Sequence, residues 1–126
     1  MSYAARYVQS SAQTASRERT MVMLFDRAVA GIRAGIAALQ ARRWPQANRE
    51  LSRALDIVAH LQGTLNREVA PGLCDDLSDL YLFVCLRLGE AKLRRDAAPA
   101  REAERVFAPV AQAFSRAVAS LPRSAP

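Results

Sequence analysis

Apolar side chains recur at steps of three and four residues along four segments of this 126-residue chain. This spacing puts them on one face of an α-helix, so the pattern predicts four amphipathic helices. Prolines and turn-forming residues interrupt the pattern at residues 42–45, 71–72 and 96–99. Helices of similar length joined by short connections run antiparallel to their neighbours. We therefore predict an all-α fold, an antiparallel up-down four-helix bundle.

The ends of the predicted helices follow from capping residues and prolines. Ser16 can cap the first helix, and the residues before it are mostly small and polar. We therefore predict a flexible N-terminal arm at residues 1–15 and a frayed tail at residues 122–126, within a single domain of residues 1–126. The later helices are predicted at residues 45–66, at residues 73–94, and after residue 99.

The third predicted helix carries two apolar stripes, whereas a bundle helix needs only one stripe to face the core. One stripe runs from Leu73 to Ala91, and the other contains Leu82, Leu86 and Leu93. Leaving such side chains in water forgoes about 1.5–3 kcal/mol each, so an exposed second stripe indicates a groove for a partner helix. The alternative is that the second stripe forms the centre of the bundle. Periodicity alone favours neither interpretation.

The charge balance raises a different function. The formal net charge is +6, and nearly all the positive residues are arginines. Arginine binds phosphate groups well, so a basic helical nucleic-acid-binding module is one alternative. The arginines are, however, spread over every predicted helix, and aromatic residues are not interleaved with them. We therefore expect no nucleic acid among the partners.

Groups that could perform catalysis or bind a metal are sparse. His60 is the only histidine and Glu-x-x-His does not occur, so no histidine-based nucleophile or metal site is expected. Cys74 and Cys85 lie eleven residues apart on one predicted helix, too far to pair, and unpaired thiols suit a reducing cytosol. The sequence shows neither an apolar leader nor a membrane-length apolar run. We predict a cytoplasmic protein without membrane insertion, enzyme activity, cofactor or metal.

Several short motifs occur in an order and spacing that are specific when taken together. They are Tyr7-x-Gln9, Met23-Leu24-Phe25-Asp26, Ala54-x-Asp56-Ile57-Val58, Thr64-Leu65-Asn66-x-Glu68, Leu80-Tyr81 and Arg87-Leu88-x-Glu90-Ala91. With these motifs, the chain resembles the flagellar secretion chaperone family, FliS, from Tyr3 to about Val118. The resemblance implies an antiparallel helical bundle, in agreement with the periodicity.

The resemblance also implies a function and a partner. Such a chaperone holds the disordered C-terminal segment of flagellin in apolar grooves, prevents premature polymerisation and delivers flagellin to the flagellar type III export apparatus. A disordered client loses entropy when it becomes ordered, so its affinity must come from a large wrapped area. The residues expected to contact this client are Tyr7, Asp56, Asn66, Tyr81, Leu82, Leu86, Arg87 and Leu93.

These residues have different expected roles. Tyr7 contacts the client from the arm, Asp56 and Asn66 are polar anchors, and Tyr81 joins the three leucines in the groove wall. Arg87 binds an acidic or main-chain acceptor on the client. For Tyr81, Asp56 and Asn66 a structural role stays open as an alternative, either bonding neighbouring helices or capping the second helix.

Other partners follow less directly from the sequence. The surface outside the grooves could bind an export-gate component or a co-chaperone. A self-associating structural bundle, in which the third helix seals a homodimer, is the remaining alternative function. We expect a monomer or a weak homodimer.

Overall fold

A computed structural model of the chain describes residues 3–122, with side chains from residue 16 onward. Within that range the backbone forms four α-helices, which are α1 (Tyr3–Gln40), α2 (Trp44–Gly63), α3 (Pro71–Arg94) and α4 (Ala97–Ala119). Each helix packs against the next, and α4 returns to pack against α1. The four helices enclose a shared apolar core, which confirms the all-α bundle predicted from the periodicity.

Contacts at both ends of the α2–α3 pair show that these helices run antiparallel. Near the end of α2, the Gln62 side-chain amide donates a 3.1 Å hydrogen bond to the Ser78 hydroxyl, near the start of α3. At the opposite end, Arg95 is the residue that follows α3. Its guanidinium carbon lies 5.1 Å from the ring centre of Trp44, the first residue of α2. This is the up-down arrangement expected for short connections.

The first helix is longer than the sequence predicted. Because α1 begins at Tyr3, the predicted start at Ser16 is wrong, and residues 3–15 are helical. Ser16 lies inside the helix, where its carbonyl accepts a 2.9 Å hydrogen bond from the Thr20 hydroxyl. Residues 3–15 contain neither proline nor glycine. Nothing therefore interrupts a helix that the packed part of α1 has already nucleated.

Two prolines and an aspartate mark the starts of the three later helices. Pro45 lies in the first turn of α2 and Pro71 in the first turn of α3, where the missing N–H of proline costs no helix hydrogen bond. Asp96 caps α4, because its Oδ1 accepts a 3.0 Å hydrogen bond from the Ala98 N–H. These features confirm the three interruptions predicted from the sequence.

Two arginines occupy backbone positions that usually favour glycine. Arg42 after α1 has a φ of 58°, and Arg95 after α3 has a φ of 53°. In the connection between α1 and α2, the Arg43 N–H donates a 2.8 Å hydrogen bond back to the Ala38 carbonyl. This is the helix ending in which a left-handed residue closes the last turn. It lets α1 reverse into α2 within three residues, 41–43.

Phe107 of α4 lies at the centre of the core. Its ring centre is 5.6 Å from that of Phe25 in α1 and 6.3 Å from that of Tyr81 in α3. The other large side chains that are fully buried are Ile32, Leu51, Val58, Leu61, Val84 and Leu88. Leu73, which the sequence assigned to the core stripe of the third helix, is exposed instead. It lies in the first turn of α3, at the end of the bundle.

Candidate functional site

The outward side of α3 is apolar and lies in solvent. Leu82, Leu86 and Leu93 are 51%, 64% and 86% exposed. Gly89 lies on the same side, and a Cβ atom built on it would meet no other atom within 4 Å. We call these four residues the α3 outer face. Of the two interpretations that the sequence left open, the structure supports the one in which the second stripe lies outside the core.

The opposite side of α3 holds the helix in the bundle. Tyr81, Val84, Leu88 and Ala91 are buried there against α2 and α4. Their spacing of three, four and three residues is the ordinary core-facing stripe of an amphipathic helix. Since this stripe already supplies the packing of α3, the leucines of the α3 outer face are not needed to hold the helix in place.

Arg87 links the edge of α3 to α4. Its Nε forms an ion pair with Glu102 of α4 at 2.9 Å, and its Nη1 also pairs with Glu90 on its own helix. The guanidinium carbon lies 5.7 Å from the ring centre of Phe83, which is partly exposed beside the α3 outer face. The guanidinium is thus already bound to two carboxylates of its own chain. A client acceptor would have to share it.

Tyr81 does not line the candidate groove. Its side chain is only 3% exposed and packs against Phe107, so the predicted role in the groove wall is wrong. Neighbouring Leu82 points outward because successive residues of an α-helix are about 100° apart around the axis. Burial also raises the pKa of the Tyr81 phenol above its ordinary value. Tyr81 is a core residue, in line with the structural alternative.

The remaining predicted contact residues lie on other parts of the bundle. Asp56 is exposed on α2. Asn66 follows the end of α2, which stops at Gly63, and its Oδ1 accepts a 3.1 Å hydrogen bond from the Glu68 N–H. That bond shapes the α2–α3 connection. It is neither of the structural roles considered from the sequence, because Thr64 caps α2 and the bond stays within the connection. Tyr7 falls on the first part of α1, and its side chain lies outside the described residues.

A second apolar surface was not predicted from the sequence. A groove of about 380 Å³ lies between α1 and the end of α4, and we call it the α1–α4 groove. Its lining residues are Arg19, Val22, Ser115, Val118, Ala119, Leu121 and Pro122. Leu121, which follows the end of α4, is exposed. The helical spacing could not reveal that the end of α4 is only partly covered.

Side chains that could take part in catalysis or metal binding are scattered over the described part of the chain. His60 is exposed, and Cys74 and Cys85 are both free thiols on α3. Burial raises the pKa of the Cys85 thiol, which keeps it in its less reactive neutral form. Within residues 3–122, no group of three or more His, Cys, Asp or Glu side chains is placed to hold a metal ion.

The length and apolarity of the helices also bear on membranes. Over the described residues, no helix is both long enough and apolar enough to cross a bilayer.

Fold and site together define a class of small antiparallel helical bundle in which one helix keeps an apolar face in solvent. The family model described as Flagellar protein FliS matches residues 1–121. The chain therefore belongs to the FliS family of flagellar proteins, as its short motifs had indicated.

Two relatives span nearly the whole chain. A flagellar secretion chaperone FliS of Escherichia coli (strain K12) is 28% identical over 119 residues, which cover 94% of this chain and 88% of that protein. A protein of the same name from Salmonella typhimurium (strain LT2) is 30% identical over 115 residues, or 90% of this chain and 85% of that protein. Both are named as chaperones, a class of proteins that are not enzymes.

Proposed function

We propose that this protein is a cytoplasmic export chaperone that binds the disordered C-terminal segment of flagellin. By covering that segment it prevents premature polymerisation, and it delivers flagellin to the flagellar type III export apparatus. This function requires binding and release but no catalytic step. Family membership and the names of the two relatives support the proposal.

The α3 outer face is the observation that carries this proposal. Large apolar side chains on a surface helix that is already packed on its other side are typical of a site for a partner. A client helix with apolar residues at the same spacing would cover Leu82, Leu86 and Leu93. Each leucine removed from water contributes about 1.5–3 kcal/mol when it was fully exposed before.

The α1–α4 groove offers a second apolar contact to a client that wraps around the bundle. It is separated from the α3 outer face by α4, which packs against both α1 and α3. A client segment that crosses α4 could occupy both surfaces. Contact with both surfaces matters because ordering a disordered segment costs about 2–5 kcal/mol or more. A single short helix contact would offset that cost only in part.

Ion pairs within the chain weaken the argument that the arginines bind nucleic acid. Arg33, Arg67, Arg87 and Arg94 each form an ion pair with a carboxylate of the same chain. Two of these pairs join different helices, Arg33 of α1 to Glu104 of α4 and Arg87 of α3 to its second carboxylate on α4. Part of the arginine content therefore neutralises the acidic residues of the bundle itself.

Calorimetric titration with the C-terminal peptide of flagellin from the same organism tests the proposal. It should be run at about 0.1 M and about 1 M salt, between which the screening length falls from about 10 Å to about 3 Å. We expect stoichiometric binding with a negative heat-capacity change and nearly the same affinity at both concentrations, because apolar burial dominates. Absence of binding at both salt concentrations would overturn the proposal.

A further inference from the structure

A small pocket opens at the end of the bundle where α1 is joined to α2 and α3 to α4. It measures about 300 Å³, and we call it the Trp44 pocket. Its floor is part of the apolar core, since Leu39, Ala47 and Leu51 line it and are buried. The aromatic and polar residues that line it and reach solvent are Trp44, Asn48, Lys92 and Arg95. Among the residues that the structure describes, no acidic side chain lines this pocket.

The backbone and the Trp44 ring hold the Arg95 side chain at the pocket. Arg95 has a φ of 53°, and its N–H donates a hydrogen bond to the Ala91 carbonyl at the end of α3. Its guanidinium carbon lies 5.1 Å from the centre of the Trp44 ring, within the range of a cation–π contact. The left-handed conformation is unfavourable for arginine and costs glycine almost nothing. An arginine that occupies such a position and is oriented by an aromatic ring indicates a use for its charge.

The positive charges of the pocket are not neutralised by the chain itself. Several arginines elsewhere pair with carboxylates, but within residues 16–122 neither Lys92 nor Arg95 forms an ion pair. Arg42 and Arg43 add two more positive charges in the α1–α2 connection, and Asp96 is the only acidic residue in the two connections at this end. Because two helices end here and two begin, their dipoles offset one another and the side-chain charges dominate.

We propose that the Trp44 pocket docks an acidic segment of a second protein. The segment places one apolar side chain on the pocket floor and carboxylates beside Lys92 and Arg95. A planar guanidinium donates paired hydrogen bonds to a carboxylate, and the lysine ammonium adds a compact positive charge. None of the residues of the α3 outer face lines the pocket, so this docking site is distinct from the one proposed for the client.

A protein segment matches this pocket better than a nucleic acid does. Single-stranded nucleic acids bind through bases stacked on open aromatic rings, along a positive groove that spans several nucleotides. The Trp44 ring is half-buried and already carries the Arg95 guanidinium. An aliphatic side chain, in contrast, needs only the apolar floor, and its flanking carboxylates need only the two cations. The pocket therefore fits a short acidic motif around one apolar residue.

Tryptophan fluorescence tests the proposal directly, because Trp44 is the only tryptophan of the chain. The ligand is a short synthetic peptide with one leucine between two pairs of glutamates, and its control has glutamines in place of the glutamates. We expect the glutamate peptide to change the Trp44 emission in a saturable way and the control to bind about tenfold or more weakly. The affinity should fall about tenfold or more between about 0.1 M and about 1 M salt, as screening increases. No saturable change, equal binding of both peptides or an affinity that does not respond to salt overturns the proposal.

Two matched variants show whether the pocket or the overall net charge binds the glutamate peptide. Lys92→Gln with Arg95→Gly removes both cations of the pocket, and glycine accepts the left-handed backbone, so the fold is retained. Arg27→Gln with Arg116→Gln removes two positive charges from exposed positions nearer the other end of the bundle. The pocket variant should bind about tenfold or more weakly than the wild type, and the control variant should bind like the wild type. Equal losses in the two variants, or no loss in the pocket variant, overturn the proposal. Lys92→Gln alone leaves the end of α3 unchanged and should already weaken binding.

Two further ligands separate this inference from a nucleic-acid site and from the proposed function, on which it does not rest. A single-stranded thymidine oligonucleotide that binds more tightly than the glutamate peptide, and loses its affinity in the pocket variant, overturns the proposal. Displacement of the glutamate peptide by the flagellin C-terminal peptide would assign the pocket to the client and also overturn it, while the chaperone function stands. Simultaneous binding of both peptides supports a separate partner. If the flagellin peptide does not bind at all, the proposed function fails while the Trp44 pocket, measured without that peptide, stands.

Discussion

Gly35 of α1 lies against Leu51 of α2 so closely that a Cβ atom at position 35 would be 2.4 Å from Leu51 Cδ2. The same atom would be 2.6 Å from Leu51 Cγ. Leu51 is fully buried, so its side chain would have to shift within the packed bundle to admit a Cβ atom at position 35. The absence of a side chain at Gly35 is therefore what lets α1 and α2 approach one another at this point.

Gly35→Ala is expected to lower the free energy of unfolding by about 1–3 kcal/mol, because overpacking outweighs the better helix propensity of alanine. Gly89→Ala is the matched control. It makes the same chemical change in a helix at a position with open space, and it should raise stability by about 1 kcal/mol. Urea denaturation of both variants measures the two effects, and a stabilised Gly35→Ala protein would contradict the close contact.

Sequence periodicity was sufficient to predict the four helices because each has a core stripe and a proline or capping residue at its boundary. It failed at the start of α1, where a polar segment with no helix breaker continues a helix nucleated elsewhere. Ser16 has the residue type of a cap but lies in mid-helix. Residue type alone does not show whether a serine begins a helix or lies within one.

The candidate site was only partly predictable for a related reason. A helix that is apolar on most sides has no single preferred face, so the periodicity could not decide whether Tyr81 or Leu82 points into the core. The neighbouring helices decide it, because Phe107 of α4 packs against the Tyr81 ring. The α1–α4 groove depends likewise on how far two helices overlap, which no pattern within one helix records.

Arg42→Gly is expected to stabilise the protein. Arg42 has a φ of 58°, a conformation that costs a residue with a Cβ atom about 1–2 kcal/mol and costs glycine almost nothing. Part of that gain is lost to the greater freedom of glycine in the unfolded chain, so the net gain should be about 0.5–1 kcal/mol. Thermal melts of the variant and the wild type measure it.

Arg43→Gly provides the control for that substitution. Arg43 is the next residue of the same turn and has an ordinary φ of −94°. Glycine there brings only the entropic cost, so this variant should be slightly less stable than the wild type. Equal effects of the two substitutions would show that the left-handed conformation at Arg42 carries no strain.

The stability of the bundle should fall at alkaline pH through Tyr81. Burial raises the pKa of its phenol in the folded state, whereas in the unfolded chain the phenol ionises at about pH 10. Below that pH both states keep the proton and stability is unaffected. As the pH rises from about 10 toward the folded-state pKa, the unfolded state loses its proton first, so the free energy of unfolding decreases.

Tyr81→Phe isolates this effect because it keeps the ring beside Phe107 and removes only the hydroxyl. Urea denaturation at about pH 8 and about pH 10.5 should show a smaller loss of stability for Tyr81→Phe than for the wild type. Cysteine and lysine titrations are common to both proteins and cancel in the comparison. Identical losses in the two proteins would contradict an effect of Tyr81 burial.

The central claim is that the α3 outer face binds the flagellin C-terminal segment. Its most direct test is a calorimetric titration of the Leu82→Asp, Leu86→Asp double variant with that peptide, beside Met23→Asp as a control. Met23 is 64% exposed, the same fraction as Leu86, but lies on α1 outside both apolar surfaces. Thermal melts of both variants establish that they are folded.

We expect the double variant to melt cooperatively near the wild-type temperature and to bind the peptide about 100-fold more weakly or not at all, since two apolar contacts are lost. Met23→Asp should bind like the wild type. Wild-type affinity in the folded double variant would contradict the claim, and so would unfolding of that variant, because Leu82 and Leu86 would then belong to the core.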